Sequence, residues 1–319
     1  MTGPQLSLII VNYNTKDDCL QCIQSVRDKV SGISYEVIVS DNNSSDGSVA
    51  AIKEKYSWVR IVENRQNLGF GQANNIGAEH ARGDVLFFLN PDTVIDHGIE
   101  SMCRYLMEHR EAGLIGPVVV DRNNKISLFY PPVYSHLFLQ ITDLLAAPVA
   151  RLSMTWKKYS YSRSIARQAT FDTGFIIGCA MMFRKDAYEA IHGFDRDIFM
   201  YGEEFDVCRR LQMEGYRVRI FSRARIVHFG GHSTQQVPPD YILRISAQSL
   251  KRLFKKHFPR SWHFRYSIET FTHIRQAISA CSKIMLNALS GRDNRDQFAS
   301  LHSHLKQFRL SRDVLREKK

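Results

Sequence analysis

Two hydrophobic periods alternate along the first 120 residues. Residues 6–11, LSLIIV, form a nearly unbroken apolar run, the pattern of a strand buried on both faces of a parallel sheet. Tyr35–Ser40, Val59–Val62, Val85–Leu89 and Leu114–Val120 read the same way. Between them, helical spacing is found over 16–28, 48–56, 71–82 and 95–109. Strands separated by helices of this length are βαβ units. The pattern therefore predicts an α/β fold built on a doubly wound, mainly parallel, Rossmann-like sheet. Such sheets bind ligands beyond the carboxyl ends of their strands. Polar clusters stand at those ends here: Asn12 and Asn14, then Asp41 to Ser44, then Asn90 and Asp92.

The alternation lapses over 121–170, which is rich in aromatics and prolines and reads as an insertion or partner-facing excursion. It resumes at Thr173–Phe183, with a helix near Glu203–Glu214 and a strand near Arg217–His228. After Pro238 and Pro239 the chain reads as helical to its end. The expected division is a domain over 1–240, in two halves (about 1–120 and about 121–240), then a helical region over 241–319.

Composition changes this picture in one respect. A chain of 319 residues with 44% hydrophobic content can bury a full core without disulfides. The net charge of +11 is unevenly spread: from Tyr241 onward 17 Lys/Arg face 5 Asp/Glu, leaving about −1 for the rest. The segment 241–258 has apolar residues at 242, 245, 250, 253, 254 and 258 and basic ones at 244, 251, 252, 255 and 256. It is an amphipathic helix whose cationic face either lies outside a packed helix or meets an anionic surface. No stretch approaches the roughly 20 apolar residues of a spanning helix. Met1–Gln5 carry no basic leader region, so a cytoplasmic protein is expected. Cys19 and Cys22 form a lone CxxC without a second pair, and read as small apolar side chains of a helix rather than zinc ligands. Nucleic acid is not an expected partner, because carboxylates occupy the rim where a polyanion would lie.

Four segments carry candidate chemistry. Asp41, with Asn43 nearby, follows a strand and can accept N–H from a base edge or O–H from a ribose; an Asx turn serving the next helix fits equally. Asn67, Gly69, Gly71 and Asn74 precede or open a helix, where backbone amides could meet a diphosphate or simply form a turn. Asn90-Pro91-Asp92 delivers a carboxylate to the sheet rim, where with a diphosphate it could hold Mg²⁺ or Mn²⁺. Glu203, Glu204 and Asp206 crowd a helix start, which suits the helix dipole and also raises the pKa of at least one of them, as a general base requires. His228 ends a strand and is a ligand candidate.

In their order, VNYN (11–14), SDNNSSDG (40–47), NLGFGQANN (67–75), LNPD (89–92), GFDRDIFMYGEEFD (193–206) and HFGGHS (228–233) resemble family 2 glycosyltransferases of the GT-A fold, in particular the bacterial rhamnosyltransferase-like branch. The resemblance covers about residues 6–258. It implies an inverting transfer from a nucleoside-diphosphate sugar, with dTDP-L-rhamnose favoured over UDP-hexoses, to a saccharide or polyprenyl-diphosphate-linked saccharide. It also implies that Asp41 binds the nucleoside, that Asn12 and Asn74 line its pocket, and that Asp92 and His228 bind a divalent cation, with Asn90 replacing the first acid of the family's DxD motif. Glu204 stands where the branch usually has the aspartate base, one methylene longer. The base assignment lies among Glu204, Glu203 and Asp206, with Glu204 favoured. A lipid-linked acceptor would place the enzyme at the inner face of the cytoplasmic membrane, docked by its basic tail. The contrasting reading is a non-catalytic GT-A scaffold.

Overall fold

The unbroken apolar runs are explained by helices on both sides of one sheet. A computed structural model describes residues 3–127, 162–230, 238–289 and 293–317, so most of the 121–170 excursion lies outside the described residues. The chain divides into two compact units, Met1–Tyr130 with Lys158–Val237 and Pro131–Lys157 with Pro238–Lys319.

In the first unit the order is β1 (Leu6–Asn12), α1 (Lys16–Lys29), β2 (Tyr35–Asp41), α2 (Ser48–Lys55), β3 (Arg60–Glu63), α3 (Phe70–Glu79), β4 (Val85–Leu89), β5 (Thr93–His97), α4 (Ile99–Glu108) and β6 (Ala112–Val120). Beyond the undescribed stretch come β7 (Thr170–Asp172), β8 (Ala180–Arg184), α5 (Lys185–Ala190), α6 (Glu203–Met213) and β9 (Arg217–His228). The sheet runs β3-β2-β1-β4-β8-β6-β9-β5, with β7 on β9. It is parallel from β3 to β4, then reverses at β8, which is antiparallel to both β4 and β6. Along β1, Leu6, Leu8 and Ile10 join a core with α1, α2 and α4, while Ile9 joins another with α5 and α6. Helix α3 lies against β1 so closely that a Cβ on Gly77 would come within 2.5 Å of Ile9 Cγ2. Cys19 and Cys22 are buried in the first of these cores, and burial pushes the Cys22 thiol up to about 12, as expected of inert packing side chains.

One boundary differs from the sequence reading. The helix expected over 95–109 begins only at Ile99, because Thr93–His97 is a strand paired antiparallel to β9. Gly98 makes the switch with φ +84°, and a Cβ there would fall 2.1 Å from Arg223 O. Long-range pairing with a 12-residue strand thus overrides the local helical period.

The second unit holds α7 (Pro239–His257), α8 (Trp262–Leu289) and α9 (Arg295–Arg316). Ala247, Phe254, Tyr266 and Val314 form its core, and the Tyr266 hydroxyl donates to Ala247 O and Ser311 O. The amphipathic segment read from 241–258 spends its apolar face inside this unit. Even its Lys251 is buried, donating to the carbonyls of Val314 and Glu317 at the end of α9.

Candidate active site

Strands β1 and β2 end in register, with Asn12 opposite Asp41. Asn12 is fully buried; its Nδ2 donates to Asp41 Oδ1 (2.7 Å) and Ser44 Oγ (3.0 Å), and its Oδ1 accepts from the Thr15 hydroxyl (2.8 Å). The second Asp41 oxygen accepts from Ser44 N at 2.9 Å. Asn12 therefore acts on Asp41, setting its carboxylate plane. Asn14 and Asn43 take left-handed backbone (φ 51° and 67°), which amide side chains tolerate better than most. Asn14 accepts from Ser45 N at 2.7 Å, and Asn43 is exposed.

A second amide network joins this loop to α3. Asn42 Nδ2 donates to Asn67 Oδ1 (3.2 Å) and Gly69 O (3.1 Å), and its Oδ1 accepts from Asn64. The amides of Gly69 and Phe70 are already engaged, by Asn67 Oδ1 at 3.0 Å and Phe199 O at 3.0 Å. These two donors are therefore not free for a diphosphate, which alters the phosphate-cradle reading of Gly69 and Gly71. The glycines allow close approach of chain instead: a Cβ would lie 2.2 Å from Phe199 O at Gly69 and 3.0 Å from Phe194 Cβ at Gly71. Asn74 is buried and bonds Phe70 O within its own helix.

The third strand end lies beside the first, since Ile10 pairs with Leu89. Asn90 N donates to Cys179 O (2.9 Å), and Asn90 O accepts from Thr93 Oγ1 (2.6 Å). Asn90 Oδ1 is buried with no hydrogen-bond partner. Because Thr93 pairs with His228 across β5 and β9, Asp92 and His228 meet, Oδ1 to Nε2, at 3.3 Å. Burial disfavours the His228 imidazolium, but hydrogen bonds to Asp92 and Cys179 outweigh it and raise its pKa to about 10. Among the described residues no three His, Cys, Asp or Glu side chains form a metal cage. A cation at this oxygen and nitrogen pair would need ligand oxygens as well, as is usual for Mg²⁺.

Helix α6 starts after Gly202 (φ 98°) and separates the three acids. Asp206 is fully buried and paired with Arg210, at 2.7 Å to Nε and 2.6 Å to Nη2. Arg210 also donates to Ile191 O and, at 2.7 Å, to Gly193 O. Asp206 is thus engaged in a structural pair. Glu203 is buried, and its Oε2 has no hydrogen-bond partner. Glu204 is half-buried, accepts from Gly202 N at 3.1 Å, and runs along Gly178, whose missing Cβ would sit 3.7 Å from Glu204 Cδ. Burial raises the pKa of both glutamates, and the Glu204 charge raises that of Glu203 further.

The elements converge at the dipeptide Gly178-Cys179. Glu204 borders Gly178; Cys179 bonds His228 with its thiol and Asn90 with its carbonyl. Sequence reading placed Asn42 in a strand-end polar cluster without giving it a role, and missed Cys179, Asn64, Asn75, Tyr188 and Arg210. Only Arg210 carried a readable signal, its i,i+4 spacing from Asp206.

Glu203 generates a pH prediction. Its folded-state pKa lies above the ordinary glutamate value of 4.5, so the folded chain binds the proton more tightly than the unfolded one. Stability is then greatest below that value and falls as pH rises above it. Glu203→Gln removes the penalty: melting curves should coincide near pH 4 and favour the variant at pH 8, by about 2–4 °C per kcal/mol relieved. A variant less stable than wild type at pH 8 would contradict the burial of an ionisable carboxyl with one unpartnered oxygen.

The chain is similar to known proteins in sequence and in fold. Residues 7–191 match glycosyl transferase family 2, and residues 167–233 match a family described as the N-terminal domain of galactosyltransferase. N-acetylglucosaminyl-diphospho-decaprenol L-rhamnosyltransferase of Mycobacterium tuberculosis is 24% identical over 280 residues, covering 80% of this chain and 89% of its own. Rhamnosyltransferase WbbL of Escherichia coli is 23% identical over 239 residues, covering 72% and 84%. Among solved structures, a mannosyltransferase of Pyrobaculum calidifontis in complex with GDP-Man and Mn²⁺ superimposes with a TM-score of 0.59 at 15% identity, covering 99% of this chain and 88% of that one. With its GT-A fold and a family match over more than half its length, the chain belongs to glycosyl transferase family 2.

Proposed function

We propose that this glycosyltransferase moves a sugar, with inversion, from dTDP-L-rhamnose to a saccharide carried on a polyprenyl diphosphate, in bacterial surface polysaccharide synthesis. The names of the two rhamnosyltransferase relatives support rhamnose as the sugar moved, and the diphospho-decaprenol in one supports the acceptor class; the dTDP carrier rests on the family resemblance. The observation that carries the reading is the convergence at Gly178-Cys179 of a carboxyl with raised pKa and the Asp92–His228 pair.

Asp41, held by Asn12 and Ser44, receives the ribose hydroxyl or a base N–H. Asn14 and Asn43 border that pocket, while Asn67, Gly69, Gly71 and Asn74 form its wall by fixing the start of α3. Asp92 and His228 would hold Mg²⁺ or Mn²⁺. Asp92 offers an oxygen donor and the unpartnered, buried Asn90 Oδ1 a further one, while His228 offers its nitrogen only when the cation displaces the proton it shares with Asp92. When bound, the cation neutralises charge on the departing diphosphate. Glu204 takes the proton of the acceptor hydroxyl; its raised pKa makes it a stronger base. The freed oxygen attacks the anomeric carbon as the bond to the nucleoside diphosphate breaks on the opposite face. Positioning carries much of the rate, and no covalent intermediate forms. Asp206 has its charge committed to Arg210, and Glu203 is the more deeply buried glutamate, which leaves Glu204 as the base.

Docking to the inner face of the cytoplasmic membrane belongs to the same reading. The described residues include no helix long and apolar enough to cross a bilayer. The apolar face of α7 is consumed by packing, whereas α8 exposes Phe264, Phe271 and Ile278, seven residues apart and so on one side. The helical region carries all of the excess positive charge, which disfavours a second copy and favours an anionic lipid surface.

Three measurements test these proposals. In a thermal-shift panel of nucleoside-diphosphate sugars with Mn²⁺, dTDP-L-rhamnose should give the largest stabilisation; silence across the panel would favour the scaffold reading. Glu204→Gln should lower transfer by roughly 100- to 10,000-fold with donor affinity nearly unchanged, and full activity would remove Glu204 as the base. The chain should co-sediment with phosphatidylglycerol vesicles in a salt-sensitive way, and a Phe264, Phe271 and Ile278 triple serine variant should lose this. Equal sedimentation with phosphatidylcholine vesicles, or of the variant, would count against docking by α8.

A further inference from the structure

Residues 191–202 connect α5 to the acid pair without regular structure, yet several contacts hold them. At their start, Arg210 draws in the carbonyls of Ile191 and Gly193. One residue on, Asn75 of α3 grips both backbone groups of Phe194: Nδ2 donates to Phe194 O at 2.9 Å, and Oδ1 accepts from Phe194 N at 2.9 Å. The same Oδ1 accepts from the Tyr188 hydroxyl at 2.5 Å. Gly193 leaves the room for this, since a Cβ there would stand 2.6 Å from Asn75 Oδ1. Farther along, Phe199 O accepts the amide of Phe70.

The geometry points to Asn75 as a positioning residue: its amide ties the segment carrying Glu203 and Glu204 to α3, so that the reach of the base toward the donor is set from the donor side of the sheet. Three physical points support this. Asn75 is 8% exposed and spends three hydrogen bonds on groups outside its own helix, whereas neighbouring Asn74 bonds only within it. A carboxamide carries its donor and its acceptor on separate atoms of one planar group, which suits it to the N–H and C=O of a single residue. The link is also continuous with the donor pocket, because Asn42 beside Asp41 bonds Asn67 and Gly69 at the head of α3. The base role rests on the function proposed above; the tether does not.

Hydrogen exchange on the full chain separates the two. Asn75→Asp keeps the size and the accepting oxygens but removes the donor to Phe194 O; Asn75→Ala removes the whole clamp, and Tyr188→Phe removes one bond. Amides of 194–202 should exchange at least ~10-fold faster in the two Asn75 variants, less so in Tyr188→Phe, with β1 and β2 unchanged; a change of that size corresponds to about 1.4 kcal/mol of local opening. With dTDP-L-rhamnose, kcat should fall by up to about 100-fold while donor KM stays within about threefold, the signature of a misplaced base. Unchanged exchange at 194–202, or faster exchange spread evenly over the first unit, overturns the tether. Faster local exchange with kcat intact upholds the tether but overturns Asn75 as the residue that positions the base, and leaves the base assignment to the Glu204→Gln measurement.

Discussion

The buried pairing of Arg210 with Asp206 is the interaction on which the rest of the site depends. Removing a guanidinium and a carboxylate from water is costly, and their attraction offsets that cost only when the remaining donors find acceptors. Here they do: the guanidinium serves the Asp206 carboxylate and two carbonyls at the start of the 191–202 segment. A charge pair inside α6 thereby becomes a fastening between that helix and the chain leading into it. Asn75 holds the next residue, and Phe199 bonds the head of α3. The acids at the start of α6 are consequently reached by a segment held at successive points, although it has no helix or strand of its own.

Polar accounting separates scaffold from chemistry in this unit. Asn12, Asn42, Asn67, Asn75 and Asp206 are occupied by side-chain or backbone partners, as polar groups removed from water normally are. Asn90 Oδ1 and Glu203 Oε2 are buried acceptors without partners. Each costs stability where it stands. Both lie in the segments that the family resemblance associates with donor and acceptor chemistry.

Much of the sheet was legible because strands covered on both faces are largely apolar: β4 and β6 are so throughout, and β1 and β2 are so apart from Ser7, Glu36, Ser40 and the polar residues that end them. Strand β5 was not, because Ile95 and Ile99 fit a helical period and the pairing with β9 that overrides it lies some 130 residues away. The polar residues at the strand ends were visible as candidates, but their division of labour was not. Asn74 and Asn75 look equivalent in sequence; a turn of about 100° between neighbours sends one back along its helix and the other across to Phe194. Three acids at one helix start also look alike, although Arg210 four residues after Asp206 already hinted which one was engaged.

The absent side chain at residue 178 has a consequence for the length of the acid beside it. Glu204 lies along the space a Cβ would occupy, in ordinary contact at 3.7 Å. A methyl group at 178 would therefore only touch Glu204, whose additional methylene relative to the aspartate usual in this branch does not depend on glycine there. A side chain extending beyond Cβ at 178 would instead compete with that methylene for the same volume.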